Sequence, residues 1–494
     1  MEPLDFSMKV FRRIGLSGVK YWRCGLVSVS SKNIFVGVDD AIRVYEKSQF
    51  DGLAENLFWE LKCQVEPNSV ISGEIDVMTP LSFNSIKVGY IGDEEVLVCC
   101  TDSGFVNVWF TEDLLRSPLI LNTGRSAWGI AMHTSKRLLA ISSNSHDISM
   151  WNLGVANPFK EWNTSSAGWP RRFYGHNDNI PSICFNMNGT ILSSAGIDAT
   201  CRLWDVVSGT LLHVYMDSQR GWFVGFIDSL AFRILKSADL SKKKAKSGSN
   251  KANIKSMNKN HTNQVDLLHS VDDCSDLNDE RDGSFYESDT DDSLDIQNSF
   301  FSTLSVRKLF RESRFSSSDC SDFFSSEKHD DFFTCYTSIN YKELLFYVTE
   351  KNVKLCCIRE TLPMIQLSAE CRNIFDNNED IDSILRYMDR INMVEFIPEL
   401  SLCIVASQKG KACLMHMARS VVRRKNGSVL SSYTIIADQQ FPEDPPLCGL
   451  LGIGVEKVFL RFYKLYMLYY DGTLIVYEIK KPIFDMTDVD NLIL

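Results

Sequence analysis

The sequence predicts an all-β fold, a single seven-bladed β-propeller interrupted by a long disordered insertion; six or eight blades are also compatible with the spacing. Three observations predict it. Short runs of β-branched and aromatic residues come in pairs, each pair joined by a turn containing Asp, Asn or Gly. The pairs recur at intervals of roughly 40 to 65 residues, which suits a four-stranded unit with loop insertions. Amphipathic helical periodicity is scarce, and the best stretch, residues 373–391, predicts one short helix between blades.

In chain order, the first pair is NIFVGVDDAIRVYE (33–46), turning at Asp39-Asp40, and the second is VLVCCTDSGFVNVWF (96–110), turning at Asp102-Ser103-Gly104. RLLAISSNSHDISMWNL (137–153) turns near 144–147, and TILSSAGIDATCRLWDV (190–206) is the fourth. These four end in an aromatic residue, Tyr45, Trp109, Trp151 and Trp204. After a gap come ELLFYVTEKNVKLCCI (343–358), LCIVASQKGKACLMHM (402–417) and KLYMLYYDGTLIVYEI (464–479). GWFVGFIDSLAF, before the gap, reads as first-strand material of the blade that ELLFYV continues. Residues 1–235 therefore hold blades 1 to 4 and the start of blade 5, 236–330 the insertion, and 331–494 the rest of blade 5 to blade 7. A propeller leaves no exposed edge if an N-terminal strand completes its last blade, and SMKVFRRIGL or CGLVSVS can supply it.

The insertion is charged in blocks. Residues 242–259 hold seven lysines and no acid, and residues 266–295 hold twelve acids against one arginine. Neither block can bury enough apolar surface to offset its ordering entropy. Lys242, Lys243, Lys244 and Lys246 have the composition of a nuclear-import signal or a nucleic-acid patch, and equally of a merely solubilising run. Ser270, Ser284 and Ser288 each have an acid three residues on, the pattern of an acid-directed kinase site.

A net charge of −11 argues against a surface that grips nucleic acid throughout, so nucleic acid is expected only through the basic insertion. Fifteen scattered cysteines without a C-x-x-C pair read as buried thiols of an intracellular protein, in the nucleus and/or cytoplasm. No secretory leader is expected at an N-terminus bearing Glu2 and Asp5, and the apolar run 458–479 is interrupted by Arg461, Lys464, Asp471 and Gly472, so no membrane partner is expected. Phosphate loops, dinucleotide fingerprints, H-E-x-x-H and G-x-S-x-G are missing, and eight dispersed histidines suggest no metal cluster; neither a cofactor nor a small-molecule substrate is expected.

Residues 171–209, RRFYGHNDNIPSICFNMNGTILSSAGIDATCRLWDVVSG, open on Gly-His and close on Trp-Asp. With the 40-residue period, this unit resembles the WD40-repeat family, one good repeat among six degraded ones. The resemblance implies that His176, Ser194, Asp198 and Trp204 form a hydrogen-bonded network inside one blade. A catalytic reading of the Ser, His and Asp lacks the sharp nucleophile turn and the oxyanion loop. The other blades hold incomplete sets and are expected to rely on apolar packing and strand pairing. More narrowly, SAWGIAMHTSKRLLAISSNSHDISMWNL from Ser126, GHNDNIPSICF from Gly175 and RGWFVGFIDSLAF from Arg220 resemble the fungal WD40 proteins related to a yeast transcriptional regulator of ribonucleotide reductase genes.

That resemblance implies a non-catalytic scaffold that binds protein partners on its propeller faces and acts in deoxynucleotide supply. Two other readings stand beside it: a substrate receptor of a cullin-type ubiquitin ligase, and a chromatin or nucleic-acid binder using the basic insertion. The receptor group tends to carry Trp-Asp-x-Arg, and here Val207 stands where the arginine would be. An enzyme with its site at the channel mouth is a further rival: a titratable pair facing the channel with a perturbed pKa would favour it, and a channel lined by small and apolar residues would count against it.

Overall fold

A computed structural model describes residues 5–13, 23–47, 59–62, 81–154, 170–235, 332–334, 342–358, 363–375, 389–423 and 429–481. The chain divides into two units, Met1–Lys243 with Asp330–Leu494, and Lys244–His329. The second unit lies outside the described residues. So do the predicted insertion at 236–330, its lysines at 242–246, Ser270, Ser284 and Ser288, and most of the helix predicted over 373–391.

The first unit is a seven-bladed β-propeller, so the six- and eight-bladed alternatives fall away. Its first strand, β1 (Asp5–Arg13), belongs to the last blade. Blade 1 is β2 (Val27–Val29), β3 (Asn33–Val38), β4 (Ala41–Glu46) and β5 (Trp59–Lys62). Blade 2 is β6 (Phe83–Ile91), β7 (Glu94–Thr101), β8 (Phe105–Phe110) and β9 (Leu119–Asn122). Blade 3 is β10 (Ala127–His133), β11 (Leu138–Ser143), β12 (Asp147–Asn152) and β13 (Arg171–Tyr174). Blade 4 is β14 (Ser182–Phe185), β15 (Ile191–Ala195), β16 (Thr200–Asp205) and β17 (Leu211–Met216).

Blade 5 starts with β18 (Gly221–Asp228); the chain then makes β19 (Arg233–Ile234) and, beyond the undescribed stretch, β20 (Phe332–Thr334), before completing the blade with β21 (Glu343–Thr349), β22 (Val353–Ile358) and β23 (Ile365–Cys371). Blade 6 is β24 (Ile391–Ile397), β25 (Leu402–Ser407), β26 (Ala412–Arg423) and β27 (Val429–Phe441). Blade 7 is β28 (Leu450–Phe459), β29 (Phe462–Tyr469), β30 (Thr473–Lys480) and the returning β1, which pairs antiparallel from Asp5↔Lys480 to Arg13↔Thr473. The first of the two candidate closing segments thus closes the ring, and CGLVSVS instead provides β2, the innermost strand of blade 1.

All seven predicted hairpins are the second and third strands of their blades, and β18 pairs β21 across the gap. The innermost strands β2, β6, β10, β14, β18, β24 and β28 touch in succession, and β28 touches β2. At that last contact a Cβ on Gly452 would lie 2.7 Å from the backbone nitrogen of Val27, so the closing blades approach too closely for any side chain there. The core lies in layers between blades rather than at the axis: Phe173, Ile183, Leu192 and Trp204 fill the layer between blades 3 and 4, and Phe346, Leu355, Val405 and Tyr433 that between blades 5 and 6. A central strand is therefore covered on both faces, which is why β11 and β25 are buried at every residue and read as apolar runs ending in serine rather than alternating ones.

Antiparallel order fixes two faces. The upper face carries the turns between second and third strands and the connections that enter the innermost strands; the lower face carries the turns between first and second strands. Backbone bonds join the upper features, as in Phe83 N–H to Asp39 O (2.9 Å) and Gly221 N–H to Gly196 O (3.0 Å). β18 ends at the lower face, and in sequence the undescribed stretch lies between β19 and β20. Its two ends are fastened: β19 pairs parallel with β26, and β20 adds a fifth strand outside β23. Blades 5 and 6 thus exceed the expected four strands. Among the described residues helical structure is limited to short 3-10 turns such as Ser229–Ala231 and Pro398–Leu400.

Candidate functional site

Blade 4 brings the four residues of the Gly-His to Trp-Asp unit together on the upper face. His176 lies on the connection between β13 and β14, Ser194 on β15, Asp198 in the turn after it, and Trp204 on β16. His176 Nδ1 is 2.9 Å from Asp198 Oδ2, and His176 Nε2 is 2.7 Å from Ser194 Oγ. Trp204 Nε1–H donates to the same Ser194 Oγ over 2.9 Å. An indole N–H can only donate, so Ser194 accepts from Trp204 and donates its O–H to His176 Nε2, leaving Nδ1–H to donate to the carboxylate. Every polar atom of the circuit is satisfied with a neutral imidazole.

The carboxylate has further donors: Thr200 Oγ1–H to Oδ1 (2.7 Å), Asn177 N–H to Oδ2 (3.0 Å) and Arg202 at 3.3 Å. A Cβ on Gly196 would stand 2.3 Å from Asp198 Oδ1 and 2.5 Å from His176 Nδ1, so only glycine admits this circuit. Burial lowers the His176 pKa, against the opposing pull of Asp198. Burial alone would raise the Asp198 pKa, but the bonds from His176, Thr200 and Asn177 outweigh it and hold it at about 2.

The Asp-His-Ser order is that of a nucleophilic triad, yet Ser194 is fully buried and its oxygen accepts from the indole. No substrate reaches it, and the chemistry available is that of a tie between strands. The linkage has one sign for both ionisable members. His176 loses stability as pH falls through the ordinary histidine value of about 6.5 toward its lowered native value, because the unfolded chain binds the proton first. Asp198 adds a second loss as pH falls through its native value of about 2. We expect thermal melting of the wild type, compared with His176→Gln, to show a fall below about pH 6.5 that the variant lacks; parallel profiles would refute the assignment.

The degraded blades do not rely on packing alone, which corrects the expectation above. In blade 3, Asp147 accepts from Ser143, Ser145 and Arg172, the last reaching in from the outer strand β13. In blade 2, Asp102 faces Arg23 at 3.7 Å and accepts from Ser126 at 2.8 Å. Between blades 4 and 5, Lys354 on β22 lies between Asp217 and Glu370, which is 3.4 Å away, and Glu370 also holds Arg372 at 2.7 Å. An Asp in the turn of hairpins one to four was visible in the sequence; the basic partners, from other strands and blades, were not.

Nearer the axis, burial raises the Glu395 pKa to about 7, opposed by Lys87 across the ring. Lys87 Nζ donates to Ile130 O over 3.3 Å, and burial pushes the Cys184 thiol up, away from the nucleophilic thiolate. Among the described residues, no His, Cys, Asp and Glu group is arranged to hold a metal ion, and no helix is long and apolar enough to cross a membrane.

Residues 169–205 match the family described as WD domain, G-beta repeat, and residues 216–420 match the family described as CRT10. The chain is 28% identical over 491 residues to an uncharacterized WD repeat-containing protein of Schizosaccharomyces pombe, covering 96% of this chain and 93% of that one. It is 35% identical over 219 residues to a WD40 repeat-containing protein of Dictyostelium discoideum, 44% of this chain but 29% of that protein. A chain in a crystal structure of the mitotic checkpoint complex superposes with a TM-score of 0.51 at 9% identity, covering 97% of this chain and 95% of that one, a likeness of fold. A complete Gly-His to Trp-Asp circuit within a seven-bladed ring thus coincides with the residues that match the WD repeat, and the chain is similar to one WD repeat-containing protein along nearly its whole sequence.

Proposed function

We propose that this chain is a non-catalytic scaffold that holds protein partners on its propeller faces, acting in transcriptional control of ribonucleotide reductase genes and so in deoxynucleotide supply. The observation that carries the scaffold part is the closed circuit of blade 4: the residues best suited to reaction chemistry are consumed in tying strands together. The match of residues 216–420 to the CRT10 family supports the transcriptional part. A rigid ring offers wide loop-lined faces, and specific contacts need such a platform more than they need a cleft. The scaffold works in the nucleus and/or cytoplasm, with the basic run at Lys242, Lys243, Lys244 and Lys246 as the import element and the serines at Ser270, Ser284 and Ser288 as points of modification.

The test is affinity purification with mass spectrometry on the full chain and on a chain lacking residues 236–330, paired with ribonucleotide reductase transcript levels in cells lacking the protein. Reproducible partners and altered transcripts are the expected result. A partnerless protein in both purifications refutes the scaffold, and unchanged transcripts refute the transcriptional role. Recovery of an adaptor and a cullin would select the ligase-receptor reading instead.

A further inference from the structure

Three guanidinium groups gather at the mouth of the ring on the upper face. Arg23 precedes β2 in blade 1, Arg220 precedes β18 in blade 5, and Arg390 precedes β24 in blade 6. They share one electrostatic neighbourhood: Arg390 feels the like charge of Arg220, and Arg390 and Arg23 both act on the buried thiol of Cys24. Two of them face carboxylates at long range, Arg23 with Asp102 at 3.7 Å and Arg220 with Glu350 at 3.9 Å. Arg390 has no carboxylate within ion-pair distance among the described residues. Its guanidinium lies 4.0 Å over the Trp222 ring, its Nε–H donates to Gln408 Oε1 over 3.1 Å, and its two terminal NH2 groups make no hydrogen bond with any described residue.

Of the three guanidiniums, two thus have an ion-pair carboxylate and Arg390 has none, in a place where burial and the like charge of Arg220 make an unpaired cation costly. The indole N–H of Trp222, a residue 8% exposed, has no partner either. A planar fork stacked on an aromatic face and short of acceptors is the arrangement that receives a carboxylate or a phosphate in two parallel bonds. Asn392 Oδ1 beside it is a buried acceptor without a donor, which a peptide N–H can satisfy and a bare anion cannot. We propose that this mouth binds an acidic side chain, carboxylate or phosphate, carried by a peptide of a protein partner, with Arg390 as the principal contact and Arg220 and Arg23 adding charge. The proposal rests on the scaffold reading and names the chemistry of one of its contacts.

The probes are two fluorescein-labelled peptides, deca-glutamate and a neutral Gly-Ser-Ala peptide with one phosphoserine, titrated with the full chain by fluorescence anisotropy; inorganic phosphate is the competitor. The expected result is binding of at least one peptide, weakening with salt, and lost by about tenfold or more in Arg390→Gln. Arg390→Lys, which keeps the charge and loses the fork, should fall between the two. If Arg390→Gln does not fold, Arg220→Gln, altered at a side chain 44% exposed, must still weaken binding. Absence of binding by both peptides in low salt overturns the proposal, as does equal binding by folded arginine variants. Displacement of the peptide by an equal concentration of inorganic phosphate would mean a simple ion site and overturns it too. Partners recovered by affinity purification from a chain that binds neither peptide would reject this site and leave the scaffold standing.

Discussion

Lys354→Ala is expected to destabilise the propeller by about 3–5 kcal/mol, the cost of leaving a buried charge uncompensated. The side chains of Lys354, Asp217 and Glu370 are 8%, 2% and 5% exposed, so water cannot replace the ammonium between the two carboxylates. Glu370 keeps Arg372 and the amide of Asn352, whereas Asp217 keeps no cation, only the backbone N–H groups of Ser218 and Gln219 and a long bond from the Ser218 hydroxyl. Most of the loss therefore falls on the contact between blades 4 and 5. Urea unfolding followed by tryptophan fluorescence measures it. Combining Lys354→Met with Asp217→Asn and Glu370→Gln should recover part of the stability, because replacing all partners removes the stranded charges. A Lys354→Ala loss below about 1 kcal/mol would show that the site is wetter than its geometry implies.

Deleting residues 1–13 is expected to have the largest effect of all. Eight residue pairs between β1 and β30 disappear, and at about 0.5–1.5 kcal/mol net per hydrogen bond the loss amounts to several kcal/mol. The deletion also bares the outer edge of β30, a strand rich in Leu474, Ile475, Val476, Tyr477 and Ile479. An unpaired apolar edge recruits other chains, so size-exclusion chromatography with light scattering should show self-association along with a lower melting temperature. A truncated chain that stays monodisperse at the size of the full chain and melts unchanged would show that β1 is dispensable.

The parts of the fold that were legible in the sequence are those made by neighbours in sequence. Each central hairpin puts two runs of β-branched or aromatic residues either side of a turn such as Asp102-Ser103-Gly104 or Tyr470-Asp471-Gly472, and contiguity makes it visible. Outer strands were not legible: β17 is partly exposed along its length and carries no apolar alternation, and β13 is four residues long. The blade 4 circuit was implied by the resemblance to the WD40 repeat, which its members could carry because they span 29 residues of one repeat, from His176 to Trp204. Lys354 and Asp217 lie 137 residues apart across the insertion, and nothing local marks either as the other's partner. Arg390 over Trp222 is hidden for the same reason: the two meet only because adjacent blades start their innermost strands at the same end of the ring.

The gap between β18 and β21 has a consequence for how freely this gene can vary in length. Asp228 pairs with Glu343, so the two strands already close a loop of over a hundred residues. Loop-closure entropy grows with the logarithm of length, and doubling such a loop costs only about 0.6 kcal/mol. The hinge points are held by β19 on blade 6 and β20 on blade 5, so added or lost residues between them leave the blade pairings unchanged. This junction is the place where a folded tag or a foreign domain can be spliced into the middle of the chain without opening the ring.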